Sequence, residues 1–261
     1  MNDYQVELEF AKKLALKAGE IITKNFLHSK ITTKANLTPV TETDLAVSKM
    51  VTEEIQKTFP NHQVMDEELQ HEKSNAEYLW ICDPIDGTIP FSHHIPTSMF
   101  SLALCHNGEP MVAVTYDPFM KRLLYTKSGN SSYMNEKEIH IKPGKFITGE
   151  YIFGIPYWNR NFDTNKYLDL VFKKKIWITY VESIVYESMM IATGISKALV
   201  TVAASPWDRA AAKMIIENAG GICTDENNER LPVFGNPKYF IATNHEVHDE
   251  VMKIIQQCLH K

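Results

Sequence analysis

The feature that most constrains this chain is an apolar run at residues 78–82 followed directly by acidic residues. The run has the length and composition of a buried β-strand. Asp83 and Pro84 come next, and proline has no N–H with which to continue a sheet ladder, so we predict that the strand ends there. Asp86 then falls on the same turn, three residues after Asp83.

Two carboxylates on one turn, with no basic residue between them, repel each other and favour a bound cation or a proton. Hard divalent cations such as Mg²⁺ prefer oxygen ligands of this kind. The N–H groups of Gly87 and Thr88 follow and are suited to face an anion. A metal site beside an anion site is typical of phosphoryl chemistry. Asp-Pro and Asp-Gly pairs are also common in ordinary turns, so a structural role for Asp83 and Asp86 stays open.

Composition places the chain among ordinary globular proteins. Of its 261 residues, 44% are hydrophobic and 23% are charged, which excludes disorder as the main state and leaves ample core for one or two domains. The formal net charge is −5, whereas nucleic-acid grooves and membrane-surface helices need basic clusters. We therefore expect neither nucleic acid nor a membrane as a partner.

The cysteines and the apolar runs indicate a compartment. The four cysteines form no C-x-x-C pair, so zinc-knuckle and redox motifs are absent from the sequence. The first residues lack the basic and apolar regions of a signal peptide, and no apolar run approaches the roughly 20 residues of a membrane span. A reducing cytoplasm is the simplest expectation.

Apolar spacing in the first half predicts two helices and a meander of strands. The helices, with apolar residues recurring every three or four positions, cover residues 4–26 and 41–59. Turn pairs such as Asn107-Gly108 separate short apolar runs, which predicts antiparallel strands. Besides 78–82, the predicted strands are 63–65, 100–105, 111–116 and 122–126.

The second half alternates between helical and strand patterns, which is typical of an α/β arrangement. Pro143-Gly144 marks the expected junction, so we predict two halves at residues 1–142 and 143–261. The predicted strands are 177–181, 197–203 and 239–243, and the predicted helices are 184–192, 206–218 and 247–259.

Glu67 and Glu68 form a further acidic site, after a short predicted strand. Because most charge clusters face water, a solvated turn is one interpretation of this pair. The other is that Glu67, 16 residues before Asp83, supplies a further ligand to the same cation site.

Two more acids have the spacing of helix caps. Asp208 lies three residues after Ser205, with Pro206 between them at a first helical position. Asp44 lies three residues after Thr41 in the same way. A capping box would use each acid only to satisfy a backbone N–H, so a purely structural role stays open for both.

In these blocks the sequence resembles the inositol monophosphatase family of Mg²⁺-dependent, lithium-sensitive phosphatases, over nearly the whole chain. The resemblance rests on residues 39–44, Glu67-Glu68, residues 83–88, residues 207–211 and Gly220-Gly221. It implies an α+β fold, a layered αβαβα sandwich, with an antiparallel or mixed sheet in the N-terminal half and an α/β C-terminal half. It also implies hydrolysis of a small phosphate monoester by metal-activated water, with Mg²⁺ as cofactor and a homodimer as assembly.

The resemblance further implies which residues form the site. One metal would bind Glu67, Asp83 and the carbonyl oxygen of Ile85, and a second would bind Asp83, Asp86 and Asp208. The implied catalytic residues are Glu67, Asp44 and Thr88. The implied substrate-binding residues are Asp86, Gly87, Thr88, Ser183 and Asp208, and Lys34 corresponds to a lysine near the metals.

Three departures from the family pattern affect the substrate. Ile89-Pro90 follows Gly-Thr, so no N–H is available at Pro90. Thr201 stands where inositol-specific members carry a glutamate, and Glu182 stands where a glycine precedes the hydroxyl residue. Histidinol phosphate, a sugar phosphate and a nucleotide 3′-phosphate are therefore alternatives to inositol phosphate. The same residues are also compatible with a non-catalytic phosphosugar-binding relative or with a structural Ca²⁺ site.

Overall fold

The structure, a computed structural model, describes residues 3–33, 39–69, 76–154, 161–202 and 205–259. Within these ranges the helices are α1 (Gln5–Asn25), α2 (Glu42–Thr58), α3 (Thr88–Ser92), α4 (Thr164–Lys173), α5 (Ile184–Ala192), α6 (Pro206–Asn218) and α7 (His248–Cys258). None of these helices is long and apolar enough to cross a membrane.

The strands of the described residues form two large sheets and one small ribbon. The ribbon pairs β1 (Ile31–Thr33) with β2 (Pro39–Thr41). The N-terminal sheet consists of β3 (Gln63–Asp66), β4 (Tyr78–Asp86), β5 (Met99–His106), β6 (Glu109–Asp117), β7 (Arg122–Lys127), β8 (Tyr133–Met134) and β9 (Lys137–Glu138). The C-terminal sheet consists of β10 (Tyr151–Phe153), β11 (Trp177–Thr179), β12 (Ala198–Val202), β13 (Ile222–Thr224) and β14 (Tyr239–Thr243).

Both sheets are mixed. In the N-terminal sheet the strands follow chain order, with β3 parallel to β4 and all later neighbours antiparallel, so the predicted meander is confirmed. The order in the C-terminal sheet is β11-β10-β12-β14-β13. There β10 runs parallel to β11 and β12, while β14 is antiparallel to both of its neighbours.

The helices and sheets stack in five layers because successive strand residues point to opposite faces. In the N-terminal sheet, Trp80 and Leu102 pack under α1 and α2, while Ile81 and Ala103 face the opposite way, toward α5 and α6. The C-terminal sheet covers the other side of α5 and α6, and α4 and α7 pack on its outer face. The predicted αβαβα sandwich is therefore confirmed.

The predicted end of the strand at Asp83-Pro84 is wrong. β4 continues to Asp86, and the pairing with β5 shifts between Asp83, which lies opposite Ser101, and Asp86, which lies opposite Met99. The extra residues form a β-bulge, which lets the strand pass Pro84 without the ladder bond that proline cannot donate. Both acids are thus fixed at the end of an interior strand and not on a loop.

The predicted division of the chain near residue 142 stays a prediction. The N-terminal sheet ends with β9 at Glu138, and the C-terminal sheet begins with β10 at Tyr151. However, α6 packs against β4, β5, β6 and β7 of the N-terminal sheet as well as against β13. One layer of helices is therefore shared by both halves.

Candidate active site

The bulge in β4 orients the first pair of acids. Asp83 is almost fully buried, and its Oδ1 accepts a hydrogen bond from the N–H of Ile85 at 3.0 Å. Asp86, also buried, accepts bonds at Oδ2 from the Ser183 hydroxyl and from the N–H of Val185, the latter at 2.9 Å. These contacts fix the direction of both carboxylates.

Asp208 reaches the same place from the start of α6. The N–H of Ser205 donates to Asp208 Oδ2 at 2.8 Å, so the predicted capping box is present. Asp208 also belongs to an acidic cluster with Asp83 and Asp86. One carboxylate oxygen from each of the three residues lies within 4.8 Å of the other two. The Asp208 side chain can therefore cap α6 and belong to the acidic cluster at the same time.

Glu67 lines the same cavity as Asp83, Asp86 and Asp208. The turn that carries it is held by Asp66, whose Oδ1 accepts bonds from the Ser48 hydroxyl at 2.6 Å and from the N–H of Glu68 at 2.8 Å. Asp66 is fully buried. The sequence analysis assigned no role to Asp66, although an acid followed by turn residues commonly bonds the backbone two residues on.

Asp44 lies behind Thr88 and does not itself line the cavity. Its Oδ2 accepts bonds from the hydroxyl and the N–H of Thr41, the latter at 2.9 Å, so this capping box is also present. Its Oδ1 accepts a bond from Thr88 Oγ1 at 3.2 Å, and the same hydroxyl lies 3.2 Å from the carbonyl oxygen of Ile85. Thr88 thus connects a fully buried carboxylate to the cavity wall.

Gly87 gives the backbone the turn that starts α3 at Thr88. Its φ is 86°, a left-handed conformation that residues with a Cβ rarely adopt. A Cβ at this position would lie 3.0 Å from Ser183 Cβ and 3.1 Å from Pro90 Cγ. Glycine is therefore required both for the backbone conformation and for the close approach of the neighbouring segment.

The cavity between these elements has a volume of about 320 Å³. Its described lining contains no basic residue: the lining residues are Pro39, Glu67, Asp83, Ile85, Asp86, Gly87, Thr88, Ile89, Glu182, Ser205, Trp207 and Asp208. An acidic pocket of this kind repels an anionic ligand unless cations occupy it.

The pKa values of the acids reflect this crowding. Burial, followed by the charges of Glu67 and Asp86, raises the pKa of Asp83 well above its ordinary value. Removal from water and the charges of Asp86 and Glu67 likewise raise the pKa of Asp208. Burial raises the pKa values of Asp86 and Asp44 to about 6, against the opposing effect of their hydrogen-bond donors. The cluster therefore favours protons or metal ions over bare charge.

Several predicted residues lie outside the cavity lining. Ser183 is buried behind Asp86, so its contact with substrate stays a prediction and its observed contact is with a carboxylate. Thr201 is buried in β12 opposite Phe240. Pro90 is buried in α3. Lys34 lies outside the described residues.

The fold is that of known inositol monophosphatases. The solved structure of an inositol monophosphatase from Thermotoga maritima superposes with a TM-score of 0.88 at 31% identity, covering 97% of this chain and 98% of that one. The model of the inositol monophosphatase family matches residues 3–260. The chain belongs to the inositol monophosphatase family.

Curated relatives agree with this assignment. A fructose-1,6-bisphosphatase/inositol-1-monophosphatase of Thermotoga maritima is 31% identical over 258 residues, covering 96% of each chain. An inositol-1-monophosphatase of Bacillus subtilis is 30% identical over 253 residues, covering 94% of each. The family consists of metal-dependent phosphatases that act on phosphate monoesters, so the predictions of family and of a phosphomonoesterase are confirmed.

Proposed function

We propose that this protein hydrolyses a small phosphate monoester with Mg²⁺ as cofactor and water as the nucleophile. The observation that carries the proposal is the convergence of Asp83, Asp86 and Asp208, whose carboxylate oxygens lie within 4.8 Å of one another. They come from residues up to 125 positions apart in the chain and meet beside the start of α3. A bare cluster of this kind is electrostatically costly unless it binds cations.

The donor set fits Mg²⁺. All the candidate ligands are carboxylate or carbonyl oxygens, which Mg²⁺ prefers, and neither histidine nor cysteine is among the described residues of the cluster. Glu67, Asp83 and the Ile85 carbonyl would hold one ion, and Asp83, Asp86 and Asp208 a second. When bound, such ions neutralise phosphate charge and lower the pKa of a coordinated water.

Thr88 and Asp44 would orient and deprotonate the attacking water. Because the Thr88 hydroxyl donates its hydrogen to Asp44, its lone pairs remain free to accept a hydrogen from a water in the cavity. With a pKa of about 6, Asp44 is ionised at neutral pH and can draw the proton away through Thr88. Glu67, which also lines the cavity, would assist.

We expect Thr88→Val to lower kcat by roughly 10²-fold, because valine keeps the shape but cannot accept a hydrogen from water or pass a proton to Asp44. Thr88→Ser keeps the hydroxyl and should retain most of the activity. Steady-state phosphate release measures both. Thr126→Val, which removes the hydroxyl of a buried threonine outside the cavity lining, is the control. Equal kcat values for Thr88→Val and the wild type would remove Thr88 from the mechanism.

Gly87 and Thr88 would bind the substrate phosphate through their N–H groups, because the first N–H groups of a helix have no partner within it. Asp86 and Asp208 would also approach the substrate at the metal. Because the turn requires glycine, replacing Gly87 with alanine, which adds one methyl group, tests the proposed phosphate site.

Gly87→Ala is expected to lower the free energy of unfolding by about 1–3 kcal/mol and to abolish most activity, because the added methyl pushes Ser183 and α3 apart. Gly108→Ala is the matched control: Gly108 also has φ 86°, but nothing lies within 4 Å of its Cβ position. Urea unfolding and phosphate release should show that only Gly87→Ala loses activity. Full activity in Gly87→Ala would contradict the role given to this turn.

The test of the proposal as a whole is Mg²⁺-dependent phosphate release from a panel of phosphate monoesters. The panel contains inositol 1-phosphate, histidinol phosphate, a sugar phosphate and a nucleotide 3′-phosphate, because the departures at Ile89-Pro90, Thr201 and Glu182 leave the preferred substrate open. If the protein releases no phosphate from any of them, a phosphosugar-binding function replaces the enzyme. Stabilisation by Ca²⁺ without stabilisation by Mg²⁺ would favour a structural calcium site.

We also propose a homodimer in the cytoplasm, without nucleic acid or membrane as a partner. The assembly follows from the family resemblance alone, and the four buried, unpaired cysteines are compatible with a reducing compartment. Light scattering on the purified protein measures the assembly, and a monomer would overturn that part of the proposal.

A further inference from the structure

Glu182 has an unusual backbone conformation at the edge of the cavity. Its φ is 56°, in the left-handed region that residues other than glycine, asparagine and aspartate seldom occupy. The residue is half-buried and lies in the turn between β11 and α5, where it lines the cavity. Strained backbone of this kind persists only where the surrounding structure holds it, and it is concentrated at functional sites.

The turn around Glu182 is held on both sides. The preceding residue, Val181, donates its N–H to Glu187 Oε1 at 2.9 Å, and Glu187 is fully buried in α5. The following residue, Ser183, caps α5 by accepting from the N–H of Tyr186 at 3.1 Å and donates its hydroxyl to Asp86. The position of Glu182 is therefore tied, through Ser183, to a carboxylate of the acidic cluster.

Gly87 packs against the same turn. A Cβ on Gly87 would lie 3.3 Å from the carbonyl oxygen of Glu182, so the two segments are in close contact. Because Gly87 precedes the first residue of α3, Glu182 lies next to the proposed phosphate site. A substrate whose phosphate sits at that site brings its alcohol part close to this wall of the cavity.

The charge of Glu182 has no part in the proposed chemistry. The other acids that line the cavity, Glu67, Asp83, Asp86 and Asp208, are the proposed metal ligands. The rest of the described lining includes the apolar side chains of Pro39, Ile89 and Trp207. A carboxylate on such a wall accepts hydrogen bonds from hydroxyl or ammonium groups and repels a second anion.

We propose that Glu182 selects the leaving group of the substrate. Its carboxylate accepts hydrogen bonds from hydroxyl or ammonium groups on the alcohol and disfavours alcohols that carry a second phosphate. This inference rests on the proposed function and adds a specificity-determining residue to it. A site that hydrogen-bonds a donor group of its substrate strongly rejects an analogue that lacks the donor. A residue of this kind is therefore an effective selector.

The test compares kcat/KM for four substrates in the wild type, Glu182→Gln and Glu182→Gly. Inositol 1-phosphate supplies hydroxyl donors, 2-aminoethyl phosphate supplies an ammonium donor, and a hexose 1,6-bisphosphate supplies a second anion. p-Nitrophenyl phosphate has no donor groups on its leaving group and reports on the catalytic machinery alone. Glycine suits a φ of 56°, so Glu182→Gly keeps the test valid if the glutamine variant does not fold.

We expect the ratio of kcat/KM for the better donor-bearing substrate to that for the bisphosphate to fall at least about 10-fold in both variants. Activity on p-nitrophenyl phosphate should stay within about 2-fold of the wild type, because the proposed metal ligands are unchanged. Comparison of the two donor-bearing substrates then assigns the contact to hydroxyl or to ammonium.

An unchanged ratio in a variant that cleaves p-nitrophenyl phosphate would overturn the inference and leave the phosphatase proposal standing. A wild-type protein that cleaves none of the four substrates would overturn both. Glu136→Gln is the matched control, because Glu136 is another glutamate with positive φ, at 68°, and it lies outside the cavity. Its substrate ratio should equal that of the wild type.

Discussion

Asp83→Asn is expected to lower kcat/KM for a phosphate monoester by roughly 10³-fold or more, which corresponds to about 4 kcal/mol of lost transition-state stabilisation. Asp83 is the acid that would bridge both proposed metal ions. Asparagine has nearly the same shape but no charge, so it weakens both sites at once. Phosphate release at saturating Mg²⁺ measures the loss.

The same substitution is expected to stabilise the metal-free protein by about 1–3 kcal/mol. Burial and neighbouring acids raise the pKa of Asp83, which means that its charge is unfavourable in the folded state without a cation. An enzyme that loses activity while its metal-free form gains stability is the expected signature of a site that evolved to bind metal. Urea unfolding in a chelator measures the stability change.

Asp117→Asn is the matched control for both measurements. Asp117 is also fully buried at the end of a strand, but it pairs with Arg122 at 2.7 Å and accepts the N–H of Phe119. Its replacement should destabilise the protein and leave kcat/KM unchanged. If Asp83→Asn destabilised the metal-free protein as Asp117→Asn does, the electrostatic account of the cluster would be wrong.

The second large effect is a stabilisation by Mg²⁺ that grows with pH. At a concentration 100-fold above its dissociation constant, a ligand adds about 2.7 kcal/mol, which for a chain of this size raises Tm by roughly 5–10 °C. We expect a rise of this size at pH 8 and little change at pH 5. Differential scanning calorimetry with and without Mg²⁺ across this range measures it.

The sign of this pH dependence follows from the acids of the site. Asp86 and Asp44 have pKa values of about 6, and the pKa values of Asp83 and Asp208 are raised well above normal. The folded, metal-free protein therefore binds more protons than the unfolded chain, and its stability is lost as pH rises from about 4 through these folded-state pKa values. Mg²⁺ replaces the protons and should restore that stability.

Two outcomes would contradict this account. One is a Mg²⁺ effect on Tm that is the same at pH 5 and pH 8, since binding to raised-pKa carboxylates must displace protons. The other is an undiminished Mg²⁺ effect in Asp83→Asn. Either result would place the stabilising ion away from the acidic cluster.

Local signals in the sequence predicted much of the fold and the place of the site. The helices α5 and α6 begin and end at the predicted residues because Ser183 and Ser205 cap them and Gly220 follows the second. The caps made by Asp44 and Asp208 were also readable from spacing. Asp208 also lines the cavity and Asp44 accepts a bond from Thr88, so the caps are compatible with the functional roles that the resemblance implies, which stay predictions.

The sequence analysis did not predict elements whose apolar pattern is sparse or whose stability depends on tertiary contacts. The helix α4 starts at a capping aspartate, Asp163, but only Tyr167 and Val171 of it are buried, so its apolar pattern is sparse. The strand β10 has three residues and gains its stability from parallel neighbours on both sides. A three-residue run has too little periodicity to identify it.

The finer geometry of the site depends on contacts between distant segments. The bulge in β4 exists because Pro84 must be accommodated within a paired strand, and that pairing is invisible in the local sequence. Ser183 reaches Asp86 across 97 residues, and Glu187 holds the turn that bears Glu182. The family resemblance predicted a set of site residues, but the sequence did not indicate which residues support the others.

The most direct test of the central claim is an anomalous difference map from crystals grown with Mn²⁺, which occupies oxygen sites suited to Mg²⁺. We expect peaks within about 2.5 Å of carboxylate oxygens of Asp83, Asp86 and Asp208. Strong peaks only at other acidic surfaces, with this cluster empty at saturating Mn²⁺, would contradict it.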